Sequence, residues 1–218
     1  NTLDKIATGK KTDKFGINID QLTNIFSELK SYKHINIKGI SCHVGSQLKD
    51  LKIFENIFST MKKTADKFSS QGTTLEHVDL GGGFGVNYES NINDLDMQGI
   101  GKLVNKIFHQ SGYKISFEPG RYLVAKSGVI ITKILTSKEN GGINFLITDA
   151  GMHTLIRPAM YGAIHRIEAL TNLEREKVNY TIAGPICESS DIIAKNILLP
   201  QQKINNYLLI HDVGAYGA

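Results

Sequence analysis

Apolar residues Leu22, Ile25, Phe26 and Leu29 recur at the i, i+3, i+4, i+7 spacing of one helix face, just after the helix-starting Asn18 and Asp20. The β-branched run 35–44 that follows predicts a strand. Leu51, Phe54, Ile57, Phe58, Met61, Ala65 and Phe68 mark a second amphipathic helix leading into a strand at 75–80. A third, carried by Ile100, Leu103, Val104, Ile107 and Phe108, leads into a strand at 114–117. This alternation predicts βα units, hence a parallel sheet with helical crossovers. Beyond Arg121 the period changes: strands are predicted at 129–136, 143–148, 178–183 and 207–212, with 138–142 a turn-rich connection. The change places a boundary near Lys126 to Gly128 and gives two domains, 1–127 and 128–218. About three βα units are part of an eight-stranded barrel, which takes roughly 250 residues. The expected fold is therefore α/β: a partial (β/α)8 TIM-type barrel followed by a mainly β C-terminal domain, with more barrel expected upstream and strand edges left open.

Composition narrows the partners. Hydrophobic residues make up 41% of the chain, with no apolar run long enough for a bilayer and no basic-then-apolar leader, so a cytoplasmic protein with no membrane partner is expected. The formal charge of +4, from 25 basic and 21 acidic residues spread along the chain, leans toward small anionic ligands and not toward nucleic acid. Lys10, Lys11 and Lys14 read as a solvated loop. Cys42 and Cys187 form no disulfide framework and fit a reducing compartment. Cys42, in an apolar strand, reads as a small core residue; Cys187, in the polar loop 184–191, is better placed for a reactive thiol.

The chemistry concentrates in two strings at predicted strand C-termini, where barrel enzymes bind ligands: Asp79-Leu80-Gly81-Gly82-Gly83-Phe84-Gly85 and Glu118-Pro119-Gly120-Arg121. Adjacent glycines let backbone N–H groups converge on a phosphate, and Arg121 offers a fork of donors to phosphate or carboxylate. Glu118 beside such an anion site needs a cation to face, and a protonated pyridine nitrogen serves. The glycines fail the dinucleotide spacing, since Gly81 and Gly83 are followed three residues on by Val86. Gly9-Lys10-Lys11-Thr12 likewise fails the nucleotide-loop spacing. His43 closes a strand beside Ser46, so its ring can stack on an aromatic cofactor while the serine binds phosphate. His77 and His211 read as structural and His109 as surface, while His153 and His165 flank Arg157-Pro158-Ala159-Met160-Tyr161, where Arg157 and Tyr161 can grip a carboxylate.

Taken in order, these strings resemble the pyridoxal-phosphate-dependent decarboxylases that join an alanine-racemase-type barrel to a β domain, in particular their diaminopimelate branch. The resemblance runs through Thr8-Gly9, Lys14-Phe15-Gly16, His43-Val44-Gly45-Ser46-Gln47, residues 79–85 and 118–121, Asp149-Ala150-Gly151-Met152, and residues 157–161, 184–191 and 212–217. It implies pyridoxal 5′-phosphate as cofactor, no metal, meso-diaminopimelate as substrate, and a homodimer with shared sites. His43 is then the residue stacked on the ring; Ser46, Gly82, Gly83, Gly120, Arg121 and Tyr216 hold the phosphate region, and Glu118 pairs with the ring nitrogen. Cys187 becomes the acid that reprotonates the carbanion across the dimer interface. Arg157 and Tyr161, with Arg121, take substrate carboxylate, and Glu188 takes the distal ammonium. Ornithine-, arginine- and carboxynorspermidine-type decarboxylases, and a non-catalytic homologue, are the competing readings. The resemblance also implies that the family's Schiff-base lysine lies upstream of the matching motifs, and the family's last segment downstream, so that this stretch alone is expected to be inactive.

Overall fold

The computed structural model describes residues 14–29, 31–88 and 94–217. Thr8-Gly9, the Gly9-Lys10-Lys11-Thr12 string and Ala218 lie outside the described residues. Two compact units emerge, one within 1–86 and 94–120, the other within 87–93 and 121–218.

The first unit is the βα half of the chain. Helix α1 (Leu22–Leu29) follows a 3-10 turn at Ile19–Gln21, and strand β1 (Gly39–Ser41) opens a parallel sheet of order β1-β2-β3 with β2 (His77–Asp79) and β3 (Lys114–Ser116). Helices α2 (Leu51–Ser70) and α3 (Met97–Phe108) form the crossovers. Both start on aspartates that satisfy otherwise orphaned amides: Asp50 accepts from Lys52 N at 2.8 Å and Asp96 from Gly99 N at 2.8 Å. The apolar face read from the sequence is the buried one, with Phe54, Phe58, Met61, Ala65 and Phe68 turned inward. Phe54 stacks on Phe84 at 5.3 Å between centroids, and Phe117 meets both Phe58 and Phe84. These rings fasten the helix layer to the strand ends that carry the glycines.

The predicted strand 35–44 is shorter than its β-branched run. Only Gly39–Ser41 pairs in ladder register; just before it Lys38 O accepts from Glu76 N and His77 N, and just after it Cys42 N donates to Asp79 O at 3.2 Å. Gly45 (φ 149°) and Gln47 (φ 62°) leave the extended region just beyond, so propensity alone overran the strand.

The second unit is a six-stranded sheet of order β6-β9-β4-β5-β7-β8. Its strands are β4 (Ile130–Asn140), β5 (Ile143–Thr148), β6 (Ile167–Ala169), β7 (Lys177–Ala183), β8 (Ile192–Pro200) and β9 (Tyr207–Ile210). The edge strands β6 and β8 touch, curling the sheet toward a barrel. Short helices α4 (Gly120–Val124) and α5 (Ile156–Tyr161) complete the elements. Ile134, Leu146, Leu155, Ile182, Leu208 and Ile210 form the centre of one continuous core.

Three differences from the pattern reading have local causes. The connection expected at 138–142 shrinks to Gly141-Gly142, whose φ values of 59° and 77° suit a tight hairpin turn, so β4 runs on to Asn140. Strand β8 lacks a clean alternation because Asn196 sits at φ 56° and its pairing with β7 shifts register. Strand β6 is three residues long, too short to register as a period. Cys42, expected in the core, is half-buried.

Candidate active site

In the first unit the C-terminal ends of all three strands converge on the glycine string. Asp79 organises it: Oδ1 accepts from Gly81 N at 2.7 Å and Oδ2 from Ser116 Oγ at 2.9 Å. Gly81 (φ 70°) and Gly83 (φ 83°) are left-handed, and a Cβ on either would lie 2.0 Å from Cys42 O or 2.1 Å from Gly45 O. A Cβ on Gly82 would meet Glu118 O at 2.1 Å and stand 3.7 Å from His43 Cε1. The strand ends therefore close around bare backbone, with the His43 ring and the Glu118 backbone as immediate neighbours of Gly82. Glu118 N donates to Gly81 O at 2.8 Å, which fixes the start of the second string against the first. His43 and Glu118 are both exposed. Burial and the charges of Asp79 and Glu118 push the Cys42 thiol up to about 11.

Ser46 is held by its neighbour. Gln47 pairs both amide atoms with Val86, Nε2 donating to its carbonyl at 3.0 Å and Oε1 accepting from its N–H at 2.8 Å. Leu48 and Phe84 form a parallel bridge beside it. Gln47 is a positioning residue that sequence reading passed over; its place inside the His43–Gln47 string was the only signal.

In the second unit cationic and aromatic side chains gather around Arg157. Arg157, on α5, is 6% exposed, and among the described residues no carboxylate pairs with it. Its guanidinium lies 4.6 Å above the Tyr88 ring, and Nη1 is 2.9 Å from His165 Nε2. Burial first, and then the charge of Arg121, lower its pKa, while Tyr88 and Tyr216 oppose the shift. Arg121 lies 5.2 Å over the Tyr216 ring, and its buried Nε meets no hydrogen-bond partner among the described residues. Two adjacent guanidinium groups, one buried and one with an orphaned donor, form a binding place for anions. Tyr161 follows Arg157 by one helical turn and is half-buried.

Cys187 and Glu188 lie on the exposed loop 184–191. Glu188 Oε1 accepts from Ser190 N at 3.2 Å and Oγ at 3.1 Å. The loop is pinned by Asp191, 2% exposed, which accepts from Met152 N at 2.6 Å and Ile186 N at 2.8 Å. A Cβ on Gly184 would stand 2.3 Å from that carboxylate, so the motif's first glycine and last aspartate are one device. Tyr88, His165 and Asp191 are the residues whose part was not read from sequence, because their significance comes from burial and from partners far along the chain.

In the first unit the residues present fit a phosphorylated pyridine cofactor: a glycine cradle with no room for a side chain, an exposed carboxylate, and an imidazole beside the cradle. Among the described residues no cluster of metal-ligating side chains is found, and no helix is long and apolar enough to cross a membrane.

Comparison with known structures places the fold first. The chain superimposes on diaminopimelate decarboxylase from Helicobacter pylori, solved in complex with L-lysine, with TM-score 0.91 and 34% identity, covering 99% of this chain and 54% of that one. It also matches lysine/ornithine decarboxylase from Vibrio vulnificus, solved with cadaverine, with TM-score 0.84, 26% identity, and coverage of 95% and 56%. The fold class is thus that of barrel decarboxylases with an added β domain. Residues 1–125 match the family described as pyridoxal-dependent decarboxylase, pyridoxal binding domain. The chain belongs to the pyridoxal-dependent decarboxylase family. Diaminopimelate decarboxylase of Zymomonas mobilis is 36% identical over 215 residues, which are 98% of this chain and 51% of the relative. The chain spans about half the length of the curated relatives it matches.

Proposed function

We propose that the full-length protein decarboxylates meso-2,6-diaminopimelate to L-lysine and CO2, with pyridoxal 5′-phosphate as cofactor. Arg157 carries this reading: a buried guanidinium with no carboxylate partner among the described residues requires an anionic group from a ligand. Diaminopimelate brings such a group, because it has an amino acid head at each end. Ornithine has no distal carboxylate and would leave Arg157 unmatched, at a cost on the order of 2 to 5 kcal/mol. Relatives named for diaminopimelate support the same choice. The pyridoxal-binding barrel is 1–127 and the β-rich domain 128–218 in this reading, supported by the family match ending at residue 125.

When bound, the cofactor supplies a cationic ring that accepts the electron pair released from the Cα–carboxylate bond. The chain's own residues do the rest. Glu118 would keep the proton on the ring nitrogen, and His43 would stack on the ring and shield it from water. Ser46, Gly82, Gly83, Gly120, Arg121 and Tyr216 would hold the phosphate region, Arg121 also meeting substrate. Arg157 and Tyr161 hold the distal carboxylate and Glu188 the distal ammonium. Cys187 donates a proton from Sγ to the reacting carbon. That role needs a reduced, accessible thiol, which favours the cytoplasm. The assembly is a homodimer in which Cys187 serves the partner's site; a monomer by sedimentation at working concentration would remove that element.

The test is turnover by the full-length protein with added cofactor, offering meso-diaminopimelate, ornithine and arginine. Diaminopimelate alone should yield CO2 and L-lysine. Arg157→Ala should cost about 2 kcal/mol or more in kcat/KM, with cofactor affinity little changed. Equal turnover of ornithine, or equal loss of cofactor and substrate, would count against the assignment.

A further inference from the structure

We propose that His165 is a positioning residue for substrate recognition: held as the neutral Nδ1–H tautomer, it aims the Arg157 guanidinium at the ligand's carboxylate. The inference rests on the role of Arg157 given above and goes one residue beyond it.

His165 is 2% exposed, on the turn after α5, and both ring nitrogens are occupied. Nδ1 lies 2.9 Å from the carbonyl oxygen of His211, which can only accept, so Nδ1 carries a proton. Nε2 lies 2.9 Å from Arg157 Nη1, which can only donate, so Nε2 carries a lone pair. One tautomer satisfies both contacts, and the doubly protonated ring satisfies only one. The lowered pKa of His165, caused first by burial and opposed by the His211 carbonyl, agrees with this.

The surroundings leave Arg157 little other freedom. Tyr88 lies under the guanidinium plane and meets His165 edge-on, with 5.1 Å between ring centroids. One face of the fork is thus stacked and one nitrogen is fixed by His165. An arginine side chain otherwise loses rotamer entropy when a ligand orders it. Anchoring it beforehand removes part of that cost from the binding step. A carboxylate in place of His165 would also hold the arginine, but it would neutralise the charge the ligand needs. Neutral imidazole holds the guanidinium and leaves its charge unspent.

The discriminating probes are L-lysine, which keeps the distal head, and cadaverine, which lacks its carboxylate. Calorimetric binding to the full-length holoenzyme should show His165→Asn, which keeps a donor toward His211 but loses the acceptor for Arg157, weakening L-lysine by about tenfold or more, the size of one hydrogen bond to a charged group. Cadaverine binding should stay within about twofold, since the lost contact concerns only the carboxylate. His165→Gln, whose side-chain oxygen can replace Nε2 as acceptor, should recover most of the L-lysine affinity. In turnover the Asn variant should raise KM more than it lowers kcat.

Arg157→Ala separates the two levels. If it removes the preference for L-lysine while His165→Asn does not, the positioning role is overturned and the assignment of Arg157 stands. If Arg157→Ala itself leaves the preference intact, the reading of Arg157 fails and the role of His165 with it. Ring-nitrogen NMR of the unmutated holoenzyme needs no folded variant: a proton on Nδ1 and none on Nε2 of His165 is expected, and a proton on Nε2 would overturn the inference.

Discussion

Burial separates residues that sequence treats alike. Cys42 and Cys187 are the chain's two cysteines, and neighbouring residues alone already placed one in a strand and one in a polar loop. The structure gives that difference a chemical size. The half-buried Cys42 thiol is pushed up to about 11, first by desolvation and then by the charges of Asp79 and Glu118, whereas Cys187 is exposed. Since the thiolate is the nucleophile, iodoacetamide at about pH 8 should modify Cys187 well before Cys42, and peptide mapping should find Cys42 labelled only after denaturation. Equal labelling in the native state would show that the strand end around Cys42 opens freely. The same limit explains Arg157 and His165. Both stand within ten residues of each other in the sequence, yet only the arginine was singled out. Its value follows from its charge type; that of His165 depends on the His211 carbonyl 46 residues away.

Elements were legible where their period is long and unbroken. Helix α2 buries Phe54, Phe58, Met61, Ala65 and Phe68 of the face its spacing foretold, with Leu51 and Ile57 half-buried, and β5 spans the predicted residues. Elements shaped by pairing were not: β1 pairs over only three residues of its β-branched run, and β8 hides its pattern behind Asn196. The loop 184–191 was recognised as a motif before anything said what holds it. Its fastener is Asp191, whose oxygens take the amides of Met152 and Ile186, joining two loops that sequence keeps apart. Asp191→Ala removes both acceptors at once, so a loss of about 2 kcal/mol or more in unfolding free energy is expected from chemical denaturation. Asp191→Asn retains one acceptor oxygen and should fall between. If Ala cost no more than about 0.5 kcal/mol, the loop would be held by its own turn geometry instead. The same substitution should leave the glycine cradle of the first unit intact, because Asp79 and Gln47 hold it separately.

At the scale of the whole chain, the two units bury their sheets differently. In the second, Ile134, Leu146, Ile182, Leu208 and Ile210 are all 0% exposed and share one core across β4, β5, β7 and β9. The first unit's sheet has three strands of three residues each, and Gly39, Ser41, His77, Lys114 and Ser116 are exposed on it. Its apolar packing lies on the helix side, through Phe54, Phe58, Val78 and Phe84. An alternation pattern reports which residues face inward, but not how much surface a sheet finally covers, so this contrast was not readable from the sequence. Local opening is cheapest where few apolar contacts must be broken and backbone hydrogen bonds face water. Amide hydrogen exchange on the 218-residue polypeptide should therefore show β4, β5, β7 and β9 protected by about a hundredfold more than β1, β2 and β3, a difference of roughly 2.7 kcal/mol in opening free energy. The α2 amides should fall between, held by their aromatic face but free of the sheet's exposed side. Equal protection across the two units would mean that they open together, and the division into separately stabilised units would then not describe how the chain unfolds.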